Sequence, residues 1–73
     1  MPQINYLDGD GRVRVSLRAC KIGRRWVVVE TTDQAVDCFG DRGRTFQPLR
    51  GRLCTLFPIS IRYNGLNLRR TNV

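Results

Sequence analysis

The residues best suited to chemistry in this sequence are arginines in one irregular stretch. The segment from Gly40 to Arg52 holds four of the thirteen basic residues, with three glycines, one proline and one phenylalanine. Glycine and proline disfavour a long helix, so we expect a flexible cationic surface with one apolar anchor. Guanidinium groups form paired hydrogen bonds to phosphate and to carboxylate alike. The predicted partner-binding residues are Arg42, Arg44, Phe46, Arg50 and Arg52.

A second set of arginines lies on a predicted strand. Residues Arg12 to Cys20 alternate between polar and apolar, which is typical of a half-buried antiparallel strand. Its polar face repeats about every 7 Å, close to the spacing of successive phosphates on a nucleic-acid strand. A solvated face explains the same pattern. The secondary candidates on this strand are Arg12, Arg14 and Arg18.

Acidic residues mark the one convincing helix, predicted from Thr32 to Phe39. Asp33, Asp37 and Asp41 follow one another at four-residue steps, so they fall on one side of that helix. Phosphates repel such a face, which makes this helix a poor reader of DNA. Asp33 and Asp37 are instead candidates for contact with a basic patch on a protein partner.

Catalytic chemistry is hard to assemble from this inventory. The sequence has no histidine, no serine in a G-x-S-x-G context and no glycine-rich nucleotide loop. Its three cysteines lie far apart, and the turn Asp8-Gly9-Asp10-Gly11 lacks the later ligands of a calcium loop. We therefore expect a protein that is not an enzyme and that has no metal site and no cofactor.

Length and charge restrict the class further. Seventy-three residues allow one small domain, and a net charge of +7 favours a partner that is anionic or carries acidic patches. A bias towards G+C-rich codons would also enrich arginine. No secretory signal or membrane-spanning apolar run is present, so we expect a reduced cytoplasmic protein, a monomer, with no membrane contact.

The elements expected to hold these residues form an α+β domain spanning residues 1–73. Strands are predicted over Arg12–Cys20, Trp26–Glu30, Leu53–Phe57 and Ile59–Tyr63, and the last returns through an Asn64-Gly65 hairpin. The expected fold is a twisted antiparallel sheet of four or five strands with one short helix packed on it, open or closed into a barrel. Arg69 to Val73 are expected to form a frayed tail.

Two binding functions fit these features. In one, a small basic nucleic-acid-binding protein contacts the phosphate backbone through its arginine clusters. In the other, a regulator binds a larger protein machine, because charge of both signs suits a two-sided protein contact.

Over its whole length the chain resembles the small transcription regulators of lytic phages that infect Xanthomonas. The resemblance lies in the length, the arginine bias, the opening Met1-Pro2-Gln3-Ile4-Asn5-Tyr6-Leu7 and the stretch Gly23-Arg24-Arg25-Trp26-Val27-Val28-Val29. It implies a protein in the cytoplasm of the infected bacterium that binds host RNA polymerase, inhibits initiation at host promoters and promotes readthrough at terminators. No functional residue is carried over, since no motif maps onto the chain.

Overall fold

The computed structural model describes residues 3–71, which form a six-stranded antiparallel sheet with two short α-helices. The strands are β1 (Gln3–Leu7), β2 (Val13–Ile22), β3 (Arg25–Thr31), β4 (Leu49–Arg50), β5 (Ser60–Tyr63) and β6 (Leu66–Arg70). The helices are α1 (Asp33–Phe39) and α2 (Leu53–Leu56), and a 3₁₀ turn, Gly40–Gly43, follows α1. The strand order across the sheet is β4-β3-β2-β1-β6-β5. Neither of these α-helices has the length and apolar character needed to cross a bilayer.

Two tight hairpins follow directly from turn residues. Strands β5 and β6 join through Asn64 and Gly65, both at positive φ, which is the backbone that a type I′ turn requires. Strands β2 and β3 join through Gly23-Arg24, with Gly23 at φ 63° in the first central position. The predicted Asn64-Gly65 hairpin is confirmed.

The core lies between one side of the sheet and the two helices. Three aromatic side chains lie at its centre: the rings of Tyr6 and Phe57 are each 5.5 Å from the ring of Phe39. Helix α1 contributes Phe39 and Ala35 from its buried side, and Leu56 of α2 is also buried. Burial of these apolar surfaces is the main stabilising contribution to the fold.

The α+β class is confirmed, but the sheet has six strands rather than four or five, and there are two short helices rather than one. The strand predicted over Leu53–Phe57 is wrong, because Leu53–Leu56 form helix α2. The main-chain carbonyl of Arg52 accepts from the N–H groups of Thr55 and Leu56, and the one-turn helix then turns Leu56 into the core. A five-residue apolar run is compatible with either a strand or a buried helical turn, and here the packing of Leu56 in the core favours the helical turn.

The expected frayed tail begins inside a strand. Arg69 and Arg70 belong to β6, where the Arg70 N–H donates to the Ile59 carbonyl at 2.8 Å. Thr71 then donates its N–H to the Asn5 carbonyl, also at 2.8 Å. The last two residues of the predicted tail, Asn72 and Val73, lie outside the described residues.

Candidate functional site

The segment from Gly40 to Arg52 is held at both ends rather than free along its length. At one end, Gly43 packs so closely on α1 that a Cβ atom there would lie 2.8 Å from the Ala35 carbonyl oxygen. At the other end, β4 pairs with β3, and Arg52 is the N-cap residue of α2. Only residues 44–48 between these anchors have no helix or strand structure.

Phe46, which the sequence analysis predicts as an apolar anchor, points into solvent. Its side chain is 74% exposed, the largest value among the exposed large apolar residues of the described chain. The neighbouring Gln47 N–H donates to the Thr45 hydroxyl at 3.0 Å, which gives this part of the loop local order. Arg44 is exposed as well, so a cation lies two residues from the ring.

Arg42 has a structural contact in addition to its exposed surface. Its Nη1 donates to the Leu56 carbonyl at 3.4 Å, and Nη1 of Arg70 donates to the Phe57 carbonyl at 2.6 Å. Two guanidinium groups therefore bind the carbonyls at the C-terminal end of α2, where the helix dipole is negative. This role of Arg70 could not be predicted from the sequence, because it depends on contacts between distant segments.

Arg50 lies opposite a residue that was not a candidate. Strands β3 and β4 pair Arg25 with Arg50 and Trp26 with Leu49. Opposed residues of an antiparallel pair share a face. Trp26 and Leu49 pack on the core, so Arg25 and Arg50 lie on the outer face of the sheet. Arg24 immediately precedes Arg25, and Arg52 lies two residues after Arg50. The four residues Arg24, Arg25, Arg50 and Arg52 are called the arginine cluster below.

The predicted row of arginines on β2 is largely neutralised. Arg14 donates through Nε to the Asp8 carboxylate at 2.7 Å, and Arg18 lies 3.3 Å from Glu30. The hydrogen bond from Arg14, helped by the backbone N–H of Arg12, lowers the pKa of Asp8 below its ordinary value. Arg12 precedes β2 and lies in the Asp8 turn rather than on the strand. Arg12, Arg14 and Arg18 therefore have contacts within the chain that stabilise the fold. The arginine cluster is the better candidate for a binding surface.

The three aspartates predicted on the helix, Asp33, Asp37 and Asp41, are exposed and face away from the core. Asp33 and Asp37 are exposed while Ala35 and Phe39 of the same helix are buried, and Asp41 is exposed in the 3₁₀ turn. The helices cover one side of the sheet, and Arg25 and Arg50 of the arginine cluster lie on the other. These three carboxylates therefore lie across the sheet from Arg25 and Arg50.

Within residues 3–71, no group of three or more His, Cys, Asp or Glu side chains could hold a metal ion. Cys20, Cys38 and Cys54 are free thiols, and burial raises the pKa of Cys38, with the Asp37 charge adding to the effect. An open polar depression of about 200 Å³ is lined by Ser16, Arg18, Glu30 and Thr32, among others. In this depression the Ser16 hydroxyl donates to Asn5 Oδ1, and the Glu30 carboxylate accepts from Arg18.

Comparison of the chain with protein-family models, with curated proteins and with solved structures gives no match.

Proposed function

We propose that this protein is a non-enzymatic phage transcription regulator that binds host bacterial RNA polymerase in the cytoplasm of the infected cell. Binding would inhibit initiation at host promoters and promote readthrough at terminators. The target comes from the resemblance of the whole chain to small phage regulators. The physical properties of the described surface support a protein-binding module.

The observation that carries the proposal is the exposure of Phe46 on an anchored loop. A phenylalanine that is 74% exposed holds apolar surface in water at a cost in free energy. Burial of the ring in a pocket of the partner would remove that cost. Because Gly43 and β4 hold the two ends of the loop, little conformational entropy is lost when the partner binds. Aromatic anchors beside arginines are frequent among the residues that dominate binding energy at protein interfaces.

Charge supports the same proposal. The net charge of +7 attracts an acidic surface over a distance of about a Debye length and increases the rate of encounter. Exposed carboxylates at Asp33 and Asp37 offer contacts of the opposite sign on the helix side. A partner that presents both acidic and basic patches would be held in one orientation.

The test is retention of polymerase by the tagged protein from a nuclease-treated bacterial lysate. We expect the β and β′ subunits to be retained, and Phe46→Ala to weaken the purified complex at least about tenfold. Ile59→Ala is the matched control, because Ile59 is another large apolar residue and is 51% exposed. It should leave the affinity within about twofold of the parent value, as expected for an apolar residue outside the contact.

Loss of the polymerase subunits after nuclease treatment would contradict the proposal, since it would mean that nucleic acid bridges the two proteins. Equal weakening by Phe46→Ala and Ile59→Ala would contradict the assignment of the anchor. Transcription by the purified polymerase supplies the functional readout: added protein should lower promoter-dependent initiation and raise the fraction of transcripts that pass a terminator.

A further inference from the structure

Arg25 and Arg50 form an unusual cross-strand pair. They are direct partners in the β3–β4 ladder, so their Cα atoms are about 4.5–5.5 Å apart, and both side chains are exposed. Like charges placed opposite each other destabilise a sheet. The two salt bridges found within residues 3–71 involve other arginines, Arg14 and Arg18. The pair therefore stands ready for an anion from outside the chain.

The chain segments that contain the two arginines have no carboxylate side chain. Residues 20–29 contain no aspartate or glutamate, and neither do residues 42–52. The nearest acid along β3 is Glu30, which is already paired with Arg18. Arg24 and Arg52 extend the positive charge on either side of the pair in the chain.

Apolar side chains share this face of the sheet. Ile22 is the partner of Arg25 across the β2–β3 hairpin, and it is 63% exposed. Two residues further along the ladder, Cys20 is the partner of Val27 on the same face. The arginine pair thus lies beside an apolar strip formed by the exposed Ile22 and the partly buried Cys20, while Val27 on the same face is buried.

We propose that Arg25 and Arg50 bind one phosphate of an unpaired nucleic-acid strand on the outer face of the sheet, a function additional to polymerase binding and independent of it. A phosphodiester has two non-bridging oxygens in a tetrahedral arrangement, so each guanidinium donates to its own oxygen. Phosphates repeat along the strand, which places Arg24 and Arg52 to meet the neighbouring ones.

The apolar strip favours a single strand over a duplex. A base or ribose of an unpaired strand covers Ile22 and its neighbours, whereas a duplex keeps its bases paired inside and presents sugar and phosphate. An acidic peptide is the alternative occupant. Competition by polyglutamate in the experiment that follows distinguishes this occupant from an unpaired strand.

The experiment measures binding of a fluorescently labelled 12-nucleotide RNA to the purified full chain by anisotropy between 50 and 300 mM salt. Arg25→Gln with Arg50→Gln should lower the affinity at least tenfold and reduce the salt slope by about 0.7, the value for one phosphate on a single strand. The matched control is Arg62→Gln with Arg69→Gln. These substitutions remove the same charge from two exposed arginines of β5 and β6. It should change the affinity less than threefold.

A charge-conserving variant separates the proposed geometry from general attraction. Arg25→Lys with Arg50→Lys keeps the net charge but removes the guanidinium forks, so we expect at least a threefold loss of affinity. Unchanged binding by this lysine variant would overturn the proposal, as would equal losses in the two glutamine pairs. Tighter binding of the corresponding duplex, or displacement of the RNA by polyglutamate at equal charge concentration, would also overturn it. No polymerase is present, so the result is independent of the proposed polymerase complex.

Discussion

At the scale of single residues, Tyr6 joins the core to the C-terminal half of the chain. The side chain is fully buried on β1, and its hydroxyl donates to the Pro58 carbonyl at 2.6 Å. Burial raises the pKa of Tyr6 to about 12, although the nearby Arg70 charge acts in the opposite direction. The buried hydroxyl is therefore held in its neutral form, as a hydrogen-bond donor.

This raised pKa predicts a loss of stability in alkali. In the unfolded chain the tyrosine releases its proton near pH 10, whereas the folded protein keeps it to about pH 12. The contribution is therefore complete below pH 10 and is lost as the pH rises to 12, with a slope of up to about 1.4 kcal/mol per pH unit. Urea unfolding at pH 9 to 12 measures this slope.

Tyr6→Phe should remove that slope, and Tyr63→Phe should retain it. The phenylalanine variant should also lose roughly 1 kcal/mol at neutral pH, because the Pro58 carbonyl loses its donor. An alkaline slope of the same size in Tyr6→Phe and in the parent protein would refute the assignment to Tyr6.

At the scale of elements, the contact between the 3₁₀ turn and α1 determines where the Phe46 loop starts. Gly43 is buried against the helix backbone, and an added Cβ would lie 2.8 Å from the Ala35 carbonyl oxygen and 3.0 Å from the Val36 Cα. A helix backbone cannot move aside as a flexible side chain can. Glycine is therefore required here by close approach rather than by turn geometry.

Gly43→Ala should consequently destabilise the protein by about 1–3 kcal/mol, because the added methyl group overpacks the contact. Gly9→Ala is the control: nothing lies within 4 Å of a Cβ at Gly9, and its φ is not positive. The control should be neutral or stabilising by up to about 1 kcal/mol. The free energy of unfolding from urea titration decides, and equal stability of the two variants would show that the Gly43 contact relaxes.

For the molecule as a whole, two ion pairs among residues 3–71 leave most of the positive charge unpaired. The excess of seven positive charges includes Arg25 and Arg50 on the outer face of the sheet, while Asp33, Asp37 and Asp41 lie on the helix side. Screening by salt should therefore stabilise the folded protein as self-repulsion weakens. The Arg25–Arg50 pair is the most local instance of that repulsion.

Arg50→Glu tests this repulsion. It replaces a like-charged cross-strand pair by an opposite pair, and we expect a gain of roughly 0.2–1 kcal/mol at low salt. The gain should vanish at about 1 M salt, where the Debye length is about 3 Å. Arg62→Glu changes the net charge equally but faces the neutral Asn67, so it isolates the pairwise effect. If thermal unfolding shows the same gain in stability for both variants, the gain comes from the lower net charge and not from the Arg25–Arg50 pair.

Features that depend on neighbouring residues could be predicted from the sequence alone. Asn64-Gly65 predicted a type I′ hairpin because few residues accept positive φ, and the structure has that turn. The apolar stripe of α1 and the stop at Gly40 likewise predicted the helix, since both act within a few residues. The mixed α+β class followed from these local patterns.

Contacts between distant residues depend on packing and strand pairing, which the local sequence does not specify. Leu53–Leu56 became a helix because packing chose between two conformations that the local sequence allows almost equally. Arg70 bonds the Phe57 carbonyl, and Arg25 meets Arg50, through strand register. Register depends on the pairing of segments far apart in the chain, so spacing along the sequence contains no record of it. For that reason the sequence predicted an arginine-rich surface, and the fold selected which arginines face one another.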